Sequence, residues 1–262
     1  MSRFSSNTSA HHLHQIFEAV LSQNSGISKL RNGWQDALGE PWGSPEFCRK
    51  HAEAVNLLTG TINEISSLPD HQQQRILRYT PAWWSALVIP DHAWHGENTI
   101  VRLISQEALD MLASTADLIA GGRTGTAAAP RGQDLEGLRT QCEEWSTLLT
   151  EMPSDTLRDN LREGLLAQVN HLIWLIDNAA TFGGSRISGQ ANEFVGALAQ
   201  AGLEIPERHA AWRGRWGKSV YAMLVALTLF TTGSELTHKA LDEGSGLVRE
   251  IAQTVHEIRE GQ

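Results

Sequence analysis

Cysteine is scarce in this chain: Cys48 and Cys142 are the two among 262 residues. That is no disulfide framework, and a reducing compartment is the simpler expectation. An excess of positive charge is also missing. Acidic residues number 30 against 21 basic ones, for a net charge of −9. A nucleic-acid binder must neutralise phosphates, so nucleic acid is disfavoured as a partner. The opening stretch, MSRFSSNTSAHHLHQ, lacks the apolar run of a secretory signal, and the expected location is cytoplasmic. No fixed-period repeat is visible, which argues against a regular solenoid.

Catalytic signatures are missing too. There is no G-x-S-x-G turn of an α/β-hydrolase. Gly121-Gly122-Arg123-Thr124-Gly125-Thr126 has glycines, but it lacks both the lysine of a phosphate-binding loop and a strand before it. It reads as a flexible linker. The helical zinc motif H-E-x-x-H is absent. The nearest cluster of metal-ligand types is Asp91, His92, His95 and Glu97, four oxygen or nitrogen donors within seven residues. It has neither a cysteine partner nor a second half, so an ordinary polar loop is the first reading and a metal-dependent enzyme an alternative. Cys142 and His171 could meet across two helices as nucleophile and base, but nothing in the spacing supports it. No cofactor motif is present, so none is expected.

What is present is helical patterning. With 41% hydrophobic and 19% charged residues, the composition suits a folded globular chain long enough to bury a core. Leu13, Ile16, Phe17, Val20 and Leu21 fall on one helical face, and Ile27, Leu30, Trp34 and Leu38 suggest a second helix. Gly39 to Pro45 breaks the pattern. Ser44-Pro45 is a helix start, cap then proline, and a stripe follows through Phe47, His51, Val55, Leu58, Ile62 and Ile65 until Pro69. Between Pro81 and Pro90, AWWSALVI could be a helical turn or a strand. Ser105 reads as a cap, with Ile104 and Leu109 placed to staple the first turn. Leu135, Leu138, Cys142, Trp145 and Leu149 have the three-four spacing of a bundled helix. Pro153 ends it, and Ser154 is read as capping a helix through Leu157, Leu161, Leu165, Leu172 and Ile176 that Gly183-Gly184 closes. Another helix runs through Ile187, Ala191, Phe194 and Leu198. A last amphipathic one is expected over 247–258.

The expected fold is therefore all-α, a multi-helix bundle in two subdomains: 1–120, a linker at 121–132, and 133–262. Nine tryptophans, Trp83 and Trp84 among them, suit core packing and interface anchoring.

One run stands apart. Ser219 to Ser234, SVYAMLVALTLFTTGS, carries no charge. As a helix its 16 residues would cover roughly 24 Å, short of the ~30 Å hydrocarbon core. Its flanks fit a membrane better. Trp212 and Trp216 could form an aromatic belt, and Arg208, Arg213, Arg215 and Lys218 could snorkel to headgroups. Residues 216–236 would be long enough to span. The candidate membrane or interface residues are Trp212, Trp216, Lys218, Leu224, Leu227 and Phe230. The alternative is a central helix buried all round in a soluble bundle.

The stretch from Leu157 to Phe182, with HLIWLIDNAATFGG at its end, resembles helical segments of uncharacterised bacterial proteins from conflict and phage-defence loci. The likeness covers about a tenth of the chain and consists of packing residues. It implies no catalytic residue. It implies a non-enzymatic helical protein of a defence or toxin–immunity system, acting through a protein partner or self-association. A membrane-disrupting effector using 216–236, associated with membrane through the C-terminal region, is the second expectation.

Overall fold

The computed structural model describes residues 8–22, 29–88, 103–122 and 132–232. Among them are ten α-helices and no β-strand, an all-α fold. The chain divides into two compact units. The first is Met1–Gly125 together with Asn178–Arg186, and the second is Thr126–Asp177 together with Ile187–Gln262.

The first unit is arranged around α1 (Ser9–Leu21), which packs against α2 (Leu30–Leu38), α3 (Pro45–Ile65) and α6 (Gln106–Gly122). The Thr8 hydroxyl caps α1 by accepting from the His11 N–H at 3.1 Å. Ala10, Leu13, Phe17 and Val20 are fully buried along it. Phe17 meets the edge of Trp34 from α2, and Trp34 meets His51 from α3. These edge-to-face contacts set the ring quadrupoles favourably. Gly39 ends α2 in the left-handed conformation at φ +67°, which glycine adopts without a Cβ clash.

Ser44 and Pro45 start α3, the Ser44 hydroxyl accepting from the Phe47 N–H at 3.0 Å. The buried stripe of α3 is wider than the apolar spacing implies. It takes in Glu53, Ala54, Leu57 and Thr61, while Val55 and Ile62 are only half-buried. Two short helices follow. α4 (Asp70–Leu77) begins directly after Pro69, where the sequence pattern marks only a stop. α5 (Thr80–Val88) settles the AWWSALVI segment as a helix through residue 88. Trp83 of α5 is buried and its indole N–H donates to the Ala108 carbonyl of α6 at 2.9 Å. The start of α6 is stapled: the Ser105 hydroxyl accepts from the Ala108 N–H, and Ile104 and Leu109 are both buried.

The second unit holds α7 (Gly132–Glu151), α8 (Asp159–Asp177), the larger part of α9 (Ala179–Glu204), a 3-10 turn at Glu207–His209, and α10 (Ala210–Thr232). α7 packs on both α8 and α10. Leu138, Cys142, Trp145 and Leu149 form its fully buried stripe. α8 starts later than the sequence suggests. Residues 154–156 form a turn, in which the Thr156 N–H donates to the Pro153 carbonyl, and Arg158 rather than Ser154 receives the first helical bonds. Gly183 does not close α8. It sits inside α9 at φ +76°, ψ 170°, a region open essentially to glycine, and marks a kink at the segment that belongs to the first unit.

Candidate binding groove

The residues singled out in the sequence fall into three groups. Asp91, His92, His95 and Glu97 lie outside the described residues, as do residues 233–262. Among the described residues, no group of three or more His, Cys, Asp or Glu side chains could hold a metal ion.

The candidates on α10 divide by helical face. Trp216, Met223, Leu227 and Phe230 form a buried stripe, while Val220, Leu224, Val225 and Leu229 are half-buried and Lys218 is exposed. α10 is thus buried along one side, not all round. Trp216 meets Trp145 of α7 edge-on at 4.8 Å between centroids, and its indole N–H donates to the Leu198 carbonyl of α9 at 3.0 Å. Trp212 lies half-buried beneath the Arg215 guanidinium, 4.5 Å from ring centre. The basic cluster meets acid: Arg215 pairs with Glu151, and Arg208 with Asp155. Among the described residues no helix is long and apolar enough to cross a membrane. Arg213, Arg215 and Lys218 shorten the apolar length from one end, and Thr228 and Thr231 return their hydroxyls to the helix carbonyls of Leu224 and Leu227.

The cysteine–histidine pairing finds no support. Cys142 is fully buried in the α7 stripe. Burial, with Glu143 adding to it, pushes the thiol up to about 12, so no thiolate is present near neutral pH. His171 stacks on Trp174 of its own helix.

A buried polar cluster in the first unit was invisible in the sequence. The Ser9 N–H and hydroxyl both donate to the Glu64 carboxylate, and the Ser9 and Ser185 hydroxyls share a hydrogen bond at 3.2 Å. Arg186 donates to Glu53 at 2.7 Å, and Glu53 is only 4% exposed. The His12 ring lies against Gly183 so closely that a Cβ there would be 2.1 Å from it. The Gly183, Ser185 and Arg186 contacts join residues 178–186 to α1 and α3, while Ser9 and Glu64 tie α1 to α3. The arrangement clamps that segment in place.

An open groove of ≈550 Å³ lies in the first unit, between α4 and α6. Both helices pack on α3. One wall is His71, Gln72, Arg75 and Ile76 of α4; the other is Met111, Ser114, Asp117 and Leu118 of α6. Ile76 is buried and Met111 half-buried at the base, while His71, Arg75, Asp117 and Leu118 are exposed. Leu118 keeps 42% of its surface open to solvent, and Leu77 and Trp84 are also exposed on α4 and α5. The sequence pattern missed this wall because α4 buries a single residue, Ile76. A charge signal was there to be read: Asp70 in its first turn and Arg75 in its last complement the helix dipole.

The chain matches no family model, no curated protein and no solved structure with which it was compared.

Proposed function

We propose that this chain is a non-catalytic helical binding protein that works through contact with another protein, in a bacterial defence or toxin–immunity setting. The observation that carries the reading is the α4–α6 groove, with its apolar base, charged walls and exposed Leu118. A groove of this size falls within the ~300–1,000 Å³ of ligand-binding clefts. Exposed apolar side chains elsewhere in the same unit, Leu77 of α4 and Trp84 of α5, are the kind of anchors that protein interfaces use. The depressed acidity of the buried Cys142 thiol favours binding over catalysis. The defence setting is supported by the likeness of residues 157–182 to proteins of such loci.

The test is a photo-crosslinking residue placed at position 118 in the full chain, expressed in its native cells. The expected result is a discrete adduct with one protein species or with a second copy of the chain. The same probe at exposed Tyr221, in the other unit, should not give it. Matching adduct patterns from both positions, or none from position 118, would overturn the reading.

A further inference from the structure

The walls of the groove define the chemistry of what they hold, given that the groove is a protein-contact site as proposed above. On α4, His71, Gln72, Arg75 and Ile76 stand at i, i+1, i+4 and i+5, one helical face. On α6, Met111, Ser114, Asp117 and Leu118 stand at i, i+3, i+6 and i+7, again one stripe. At about 1.5 Å per residue the longer stripe runs roughly 10 Å, or two helical turns. A helix, some 10 Å across with its side chains, would lie along a stripe of that length and insert one face between the walls.

Charge then orients the occupant. Arg139, Arg158, Arg162, Arg186, Arg208 and Arg215 each hold a carboxylate. Arg75 is exposed on the groove wall and has no hydrogen-bond or ion-pair partner among the described residues. A guanidinium is the side chain best shaped to take a carboxylate through two parallel hydrogen bonds. His71 lies one turn away on the same wall. The opposite wall carries Asp117, whose charge reaches His11 of α1. One wall is cationic and the other anionic, over an apolar base.

We infer that the α4–α6 groove receives an amphipathic helix of a partner protein, with apolar residues one turn apart facing Ile76, Met111 and Leu118 and an Asp or Glu on the flank that meets Arg75. The flank facing Asp117 carries no acid. Such a segment is matched by the groove's length and the sign of each wall.

The probe is a randomised 12-residue peptide display library selected on the full chain, with Leu118→Glu used for counter-selection. Enriched peptides should carry two apolar residues three or four apart and an acid on one flank. By fluorescence anisotropy their Kd should weaken at least tenfold on Arg75→Glu. Replacing the peptide acid by Lys should restore most of that loss in the Arg75→Glu chain and weaken binding to the wild type. Residues 75 and 118 are exposed, so circular dichroism should be unchanged in both variants, and the charge reversed in the last turn of α4 should lower the Tm of Arg75→Glu by a few degrees at most. Peptides that depend on Leu118 but are indifferent to Arg75→Glu would refute the acidic flank and leave the protein-contact reading standing. Failure to enrich any peptide that depends on Leu118 would refute the helical occupant, while crosslinking at position 118 judges the contact site on its own.

Discussion

Trp212 and Trp216 are four residues apart and look equivalent in the sequence, yet the structure assigns them very different energies. Trp216 is 3% exposed, edge-on to Trp145 and hydrogen-bonded to the Leu198 carbonyl. Truncating a buried tryptophan to alanine costs about 3–5 kcal/mol. The lost aromatic pair places Trp216→Ala in the upper part of that range. Domains of this size are stable by about 5–15 kcal/mol, so the second unit would be close to unfolding. At a slope near 2 kcal/mol/M its urea midpoint should fall by about 2 M. Trp212 is half-buried under an exposed guanidinium, and Trp212→Ala should cost no more than about 1 kcal/mol. The neighbouring helix supplies an internal check. A Cβ on Gly202 would stand 2.8 Å from the Trp216 indole nitrogen, while one on Gly196 meets nothing within 4 Å. Because the ring is held from two sides, Gly202→Ala should destabilise by about 1–3 kcal/mol. Gly196→Ala should stabilise by about 0.4–1 kcal/mol. Urea titration of the full chain, followed by far-ultraviolet circular dichroism and tryptophan fluorescence, measures all four. If the two tryptophan variants agree within about 1 kcal/mol, or Trp212→Ala is the worse, Trp216 is not the core residue described here.

Two further outcomes are expected. Arg186→Met removes the guanidinium that pairs with the buried Glu53 carboxylate and should cost about 3–5 kcal/mol, most of it recovered in Glu53→Leu/Arg186→Met; thermal denaturation of both variants against the unaltered chain reads this directly, and an undiminished loss in the double variant would refute the pairing. Burial holds the His51 imidazole below its ordinary value of about 6.5, against the hydrogen bond it donates to the Leu87 backbone, and burial together with His14 does the same for His11 against Asp117 and Glu18. The unfolded chain therefore takes up these protons first, so this stability is present above about pH 6.5 and lost as the pH falls below it. Tm should drop between pH 7.5 and 5.5, and His51→Gln should shrink the drop.

Local signals in the sequence carry much of the fold. Ser44-Pro45 and the Ser105 staple involve residues within five positions of one another, and both caps form. The stripe Leu138, Cys142, Trp145 and Leu149 is buried because a single helix period determines it. What the pattern misses depends on distant partners. Glu53 is placed inside by Arg186, 133 residues away, and no local spacing announces that. The groove was missed because its walls are set by residues 71–76 and 111–118 on two helices, one of them a short polar stretch. Trp216 could not be told from Trp212 because belt and core make the same demand on composition, and only the position of α7 separates them.

The excursion at 178–186 bears on how the chain is made. Neither unit is a continuous stretch, and Ser9 waits for Ser185 while Glu53 waits for Arg186. On a ribosome working at about 5–20 residues per second, residue 186 is added roughly 3–12 s after residue 125. Throughout that interval the first five helices and α6 exist without the piece that neutralises Glu53 and packs against His12. The nascent first unit thus spends seconds without that ion pair, and a gene cut at residue 125 would produce that unfinished intermediate as its end product.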